Sequence, residues 1–279
     1  MTEEVLADRP ESTVIRTGGT VAKTHAADTD PAALAVRLAV AAHPAVAGVL
    51  LPPLPPAAVA RSADGRPVTR WPYGAPVGRG AIPWEAAGAL LARLHAVPPA
   101  ALDGLGPLPA ARGPVRAAHA VARMREGVDG RRFAAARRAV ERAWSRIDFP
   151  APSGVGVALC HGDFHFGQLV RHPVPGGPWR LIDVDDLGLG DPAWDLARPA
   201  AWFAAALIGP GEWDRLLGSY QAAAGRAGED PWPGLDVPAR ALTAQLAARA
   251  LVRASTDGAT LEEVGEALVD SCVRIAALP

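Results

Sequence analysis

Lysine is almost absent from this chain. Lys23 is the only one among 28 lysine and arginine side chains in 279 residues. Where arginine serves everywhere else, a retained lysine reflects either chance or a need for a compact ammonium rather than a planar fork. Cysteine is nearly as scarce. Cys160 and Cys272 cannot build a disulfide framework, and each reads as a small buried apolar residue. No excess of charge exists in either direction: the net charge is −1 and the pI near 6.7. That argues against nucleic-acid binding by phosphate neutralisation. The charge-free stretch 38–60 is broken by Pro44, Pro52, Pro53, Pro55 and Pro56, so it is no uninterrupted membrane helix. The opening MTEEVLADRP is acidic and lacks the apolar centre of a signal peptide. These absences predict a cytoplasmic protein with no membrane and no nucleic-acid partner. The chain also has no internal repeat.

What is present reads as two regions. STVIRT and TVAKTH are β-rich runs joined by Gly18-Gly19, a hairpin signal. Asp30 before Pro31 predicts a capped helix over AALAVRLAVAAH. AAVARSADGRPVTRWPY predicts a second hairpin turning at Asp64-Gly65. The opening quarter is therefore expected to be strand, strand, helix, strand, strand. After Tyr73 the pattern turns helical. Trp84, Ala87, Leu91, Leu94 and Val97 form one stripe, and VRAAHAVARMREG and RRFAAARRAVERAWSRI fit further helices. The arginines of the latter read as a solvated face. Short strands are expected around GVALC, QLVR and WRLIDV. Thr260 and Glu263 give a capping-box pattern for a last helix with Leu261, Val264, Leu268, Cys272 and Ile275 buried. The expected division is residues 1–73 and residues 74–279.

Two polar clusters interrupt this apolar pattern. LCHGDFHFGQLV places His161, Asp163, His165 and Gln168 close together. LIDVDDLGLGDPAWDLA ends an apolar strand on Asp183, with Asp185 alternating with it on one face in extended geometry. Carboxylates at a strand end suit a hard cation such as Mg²⁺, which shares its oxygen ligands with phosphates. Read alone, they also suit a polar loop before a helix capped by Asp191. His161, Asp163 and His165 alternate as well, so all three are candidate ligands of one ion in a metal-dependent hydrolase. Taken together, one lysine on an N-terminal strand, one loop carboxylate and one strand-end carboxylate are the parts that move a phosphoryl group.

HGDFHFGQLV followed by LIDVDDLGLGDPAWDLA resembles the aminoglycoside phosphotransferase and choline kinase-like family, whose motifs are HGDxxxxN, ID[WF][ED] and DxxxDLA. LARLHAV is similar to that family's first large-lobe helix. The HGDxHxGQ form is similar to bacterial maltokinases. The resemblance implies an α+β, bilobal protein kinase-like fold with a small β-rich lobe and a large, mainly helical one. It implies a small-molecule O-phosphotransferase using ATP or GTP and Mg²⁺, with a nucleotide and a hydroxyl acceptor as partners. By the same resemblance Asp163 is the base, and Asp183 and Gln168 are metal ligands. Lys23 holds phosphates, and the backbone from Trp71 through Pro72 to Tyr73 faces adenine. His161, Asp185 and Asp195 are supports.

Three features depart from the family pattern. No glycine-rich loop precedes Lys23, and only Glu11 to Gly19 is available for a covering hairpin. The helix after Pro31 carries no acidic residue, so Lys23 is expected to lack its usual glutamate partner. Glutamine replaces asparagine at Gln168. These departures keep a non-catalytic, nucleotide-binding pseudokinase open. Within the enzyme reading, the acceptor class also stays open among aminoglycosides or other antibiotics, sugars and amino alcohols. Acidic residues Glu262, Glu263, Glu266 and Asp270 would suit a cationic acceptor, or simply form a solvated face.

Overall fold

The computed structural model describes residues 3–9, 12–78, 80–129, 131–149 and 156–278. Its N-terminal region holds β1 (Glu3–Arg9), β2 (Ser12–Thr17), β3 (Thr20–Thr24), α1 (Pro31–Ala42), β4 (Ala60–Arg61) and β5 (Pro67–Pro72). The five strands form one antiparallel sheet in the order β1-β2-β3-β5-β4. The predicted hairpin closes with Thr17 opposite Thr20, and Gly18 supplies the positive φ of 62° that its turn requires. Lys23 therefore sits on the middle strand, opposite Val14 on one side and Thr69 on the other. Paired on both sides, that strand is a firm mount. Asp30 caps α1 by accepting a hydrogen bond from the Ala32 N–H at 2.9 Å.

β1 is a strand that sequence reasoning did not anticipate. Glu3–Arg9 is too charged to signal a core strand, and Val5 and Leu6 remain 63% and 43% exposed. It lies at the sheet's edge, where charged side chains are an ordinary defence against mispairing. The covering hairpin therefore begins further upstream than expected, and Glu11 itself lies outside the described residues.

The rest of the chain comprises β6 (Ala75–Pro76), α2 (Trp84–His95), α3 (Gly113–Gly127), α4 (Ala134–Ser145), β7 (Ala158–Cys160), β8 (Leu169–Arg171) and β9 (Trp179–Leu181). Then follow β10 (Gly188–Gly190), α5 (Ala193–Ala204), α6 (Pro210–Ala223), α7 (Trp232–Thr256) and α8 (Glu263–Ala276). α2 packs on α6, α3 and α5 pack on α7, and α8 crosses α4 and α7. A single apolar cluster runs from Leu38 and Leu50 through Leu91 and Leu94 to Leu159, Leu181 and Leu216. Burying each such side chain contributes about 1.5–3 kcal/mol, so this cluster ties the sheet to the helices. No described helix is long and apolar enough to cross a membrane.

The last helix differs from its expected form. α8 begins at Glu263 with no side-chain cap, so Thr260 forms no capping box. Val264 is 51% exposed, and Gly265 takes the buried position beside Leu268 and Cys272.

Candidate active site

Two small antiparallel pairings bring the polar clusters together. β7 pairs with β10, placing Cys160 opposite Gly188, and β8 pairs with β9, placing Leu169 opposite Leu181. The segments after β7 and β9 are thus neighbours. Gly162, between them, has a φ of +84°, and a Cβ there would stand 2.1 Å from the Asp186 carbonyl oxygen. Only glycine fits this crossing.

Lys23 finds two partners 160 residues or more away in sequence. Its Nζ donates to Asp183 Oδ1 at 2.7 Å and lies 2.8 Å from Asp185 Oδ2. Asp185 Oδ2 also meets His25 Nδ1 at 3.2 Å, and the other ring nitrogen of His25 meets Thr69 Oγ1 at 2.8 Å. As expected, no acid of α1 reaches Lys23; Asp185, braced by buried His25, supplies the counter-charge instead. From α1, buried Arg37 donates to the Leu187 carbonyl at 2.9 Å. The expectation that Asp183 and Asp185 share the face of a strand is corrected. β9 stops at Leu181, and Asp183 adopts a φ of 66°. A left-handed bend, not strand alternation, aims the carboxylates at Lys23. Burial is the strongest influence on Asp183 and opposes its ionisation, but the charge and hydrogen bond of Lys23 act against it and the net result holds the carboxyl below its ordinary range. Burial works the same way on Asp185, and its bond to His25 and the charge of Lys23 depress it further. Burial acts to lower the Lys23 pKa, but the two carboxylates prevail and raise it.

Gln168 closes this cluster. Its Nε2 donates to Asp183 Oδ2 at 3.1 Å, and the side chain is 8% exposed. Asp163 stands apart from the lysine and is held by two arginines. Arg198 of α5 donates to its Oδ1 at 2.6 Å, and Arg116 of α3 donates to its Oδ2 at 2.8 Å. Arg116 also binds Asp186, and Arg198 also donates to the Phe164 carbonyl.

Asp195 braces the loop that carries Asp163. It is 1% exposed and accepts from the backbone N–H of His161 at 2.6 Å and of Gly162 at 2.8 Å. His95 of α2 adds a third bond through Nε2 at 2.9 Å, while its Nδ1 meets the Tyr220 hydroxyl at 2.9 Å. His161 donates from Nε2 to the Ile182 carbonyl at 2.8 Å, linking the two polar segments. His165 accepts from the Gly167 N–H and caps a single 3₁₀ turn. His161, Asp163 and His165 therefore point to three different partners and do not converge on one ion. Among the described residues, the His/Cys/Asp/Glu side chains that cluster closely enough for a metal are His95, Cys160 and Asp195. There Asp195 already serves the loop.

At Tyr73 the backbone already has partners. Its N–H donates to the Gly19 carbonyl at 2.8 Å, and its carbonyl accepts from His172. Trp71 is buried, with its indole N–H donating to Thr69. The Tyr73 N–H is thus committed, while its carbonyl keeps a second lone pair for an adenine contact.

Sequence reasoning missed His25, His95, Arg116, Asp186 and Arg198. Arg198 had a signal: it follows Asp195 by one helical turn and so shares its face. Arg116 had none, since α3 carries arginines on several faces.

One consequence concerns pH. Burial, with help from the Arg198 charge, lowers the His165 pKa to about 4. An unfolded histidine titrates near 6.5. Between those values the unfolded chain binds a proton that the folded chain excludes, so stability rises with pH across the window. Acidification from pH 6.5 towards 4 is expected to destabilise the protein. Urea unfolding of His165→Gln should show a shallower slope there than the parent; equal slopes would refute this.

The model of a phosphotransferase enzyme family matches residues 13–237. No curated protein sequence matches the chain. Among solved structures, a choline/ethanolamine kinase family protein from Mesorhizobium loti is 16% identical, with a TM-score of 0.58 over 100% of this chain and 89% of that one. A macrolide 2'-phosphotransferase from Brachybacterium faecium is 17% identical, with a TM-score of 0.55 over 100% and 92%. Aminoglycoside 2'-phosphotransferase-IIIa, solved with GDP, is 15% identical, with a TM-score of 0.57 over 99% and 93%. At these identities the likeness establishes the shared fold.

Proposed function

Because the chain belongs to the phosphotransferase enzyme family, we propose that it moves the γ-phosphoryl group of ATP or GTP onto a hydroxyl of a small molecule. The observation that carries this reading is the seat of Lys23. The chain's only lysine, on the middle strand of the sheet, is held by the two carboxylates that follow β9. Nucleotide phosphates would enter between these groups and take Lys23 as a point charge.

The donor set fits magnesium. Asp183 and the Gln168 amide lie within hydrogen-bond reach of each other, and both offer hard oxygen atoms. These two side chains would hold the ion, with Gln168 turning its carbonyl oxygen towards it. When bound, Mg²⁺ would neutralise charge on the nucleotide's phosphate oxygens. Asp185 and His25 keep Lys23 anchored while Asp183 is released. Asp163 orients the acceptor hydroxyl and receives its proton. The acceptor oxygen bonds to the γ-phosphorus as the bond to the β–γ bridging oxygen breaks. The electron pair leaves with the nucleoside diphosphate.

Lys23→Arg tests the nucleotide half of this reading. The variant keeps the charge, but a guanidinium is wider and spreads its donors over a plane. It should weaken productive Mg-nucleotide binding by about tenfold or more, the loss of one charge-assisted contact. Calorimetric titration with Mg-ATP and Mg-GTP gives the result. Unchanged affinity and turnover would mean that Lys23 touches no phosphate.

A further inference from the structure

We infer that the acceptor carries a negative charge, a carboxylate or a phosphate, and that Arg116 reads it. This rests on the phosphotransferase reading above and names the acceptor class for the same site. The narrow cleft at Asp163 lies between α3, α5 and α7, and its lining includes Arg116, Trp194, Arg198 and Gln245. Two guanidiniums face one carboxylate there. The next ring adds Asp186 and Arg112, 4.0 Å apart, so arginine still exceeds acid. The acidic residues of α8 do not line the cleft. A polycationic acceptor would bring its ammonium groups against like charges in a partly buried site.

The arginines differ in freedom. The Arg198 side chain is 10% exposed and divided between Asp163 and the Phe164 carbonyl, which makes it a fixed brace. The Arg116 side chain also has two partners, Asp163 and Asp186, but it is 26% exposed and reaches in from the neighbouring helix. It occupies Asp163 Oδ2, one of the two oxygens an acceptor hydroxyl would seek. An anionic group on the acceptor would draw the Arg116 fork to itself and open that oxygen. Paired donors in a planar fork match carboxylate and phosphate alike. Gln245, 3% exposed, also lines the cleft, and its amide offers a donor and an acceptor to an entering group. Trp194 offers an apolar wall for a ring or carbon chain.

Charge-matched acceptors decide the matter. One series uses a hexose ring: glucuronate, glucose 1-phosphate, glucose and glucosamine, with kanamycin as a polycation. The other uses a four-carbon chain: 4-hydroxybutyrate, butanol and 4-aminobutanol. Thermal shift and γ-phosphoryl transfer are read with Mg-ATP and Mg-GTP. The inference expects the anionic member of at least one series to stabilise or react about tenfold better than its neutral and cationic partners. Glucuronate against glucose 1-phosphate separates carboxylate from phosphate. Arg116→Gln should raise the acceptor KM and narrow that preference. Equal or better response to neutral or cationic members, or no response in either series while Mg-nucleotide stabilises the protein, overturns the inference and leaves the phosphotransferase reading standing. Absence of any Mg-nucleotide effect removes the reading itself.

Discussion

Asp163→Asn is expected to lower turnover about 10²- to 10⁴-fold, the usual contribution of a general base, while nucleotide affinity stays nearly intact. The carboxylate stands away from the lysine and is bound by Arg116 and Arg198. Nucleotide phosphates have no need of it. Asparagine keeps one oxygen for an arginine but cannot take the hydroxyl proton. It also leaves the 10%-exposed Arg198 side chain without its counter-charge, so some loss of stability accompanies the loss of rate. Single-turnover transfer and nucleotide titration on one preparation separate these effects. Full turnover in the asparagine variant would remove Asp163 from the chemistry.

Asp195→Ala is expected to be the most destabilising of the substitutions considered. Three donors converge on this carboxylate: the His161 and Gly162 N–H groups and His95 Nε2. Removing one partner of a buried polar set leaves the others unsatisfied, at about 3–5 kcal/mol. That is a large share of a typical stability of about 5–15 kcal/mol. For a chain this long it corresponds to a drop on the order of 10 °C in Tm. Asp195→Asn keeps one acceptor and should lose less. The carboxyl is held below its ordinary pKa range: burial opposes its charge most strongly, but the His95 hydrogen bond and charge, with the Gly162 N–H, together prevail. Its stabilising effect is therefore present above the unfolded value near 3.9 and disappears as pH falls through the folded value. Calorimetric scans of the alanine variant with a Tm within 2 °C of the parent would contradict this role.

The elements that the sequence announced are those with local signals. The Gly18 hairpin, the Asp30 cap and the α2 stripe depend on residues a few positions apart, and all three stand in the structure. β1 escaped because an edge strand needs no apolar face. The capping pattern at Thr260 misled because it can be satisfied on paper wherever Thr and Glu fall three apart. At the site, the motifs drew attention to Asp163, Gln168, Asp183 and Asp195: Gln168 meets Asp183, Asp195 holds the loop that carries Asp163, and Asp163 lines the cleft between α3, α5 and α7. What they could not give was pairing across the chain. Lys23 meets Asp183 across 160 residues, and Arg116 meets Asp163 across 47. Such contacts depend on how sheet and helices pack, not on neighbouring residue types. Gln168 belongs to both classes. The resemblance to HGDxxxxN let Gln168 be read as standing in the place of an asparagine, while its contact with Asp183 needed coordinates.

The most direct test is transfer of label from [γ-³²P]ATP or [γ-³²P]GTP to acceptor, with and without Mg²⁺, by the parent protein and by Asp163→Asn. The account predicts Mg²⁺-dependent label on a hydroxylated small molecule with the parent, and its near-complete loss in the variant. Nucleotide binding by the parent without label on any acceptor, or label unchanged in Asp163→Asn, would contradict it.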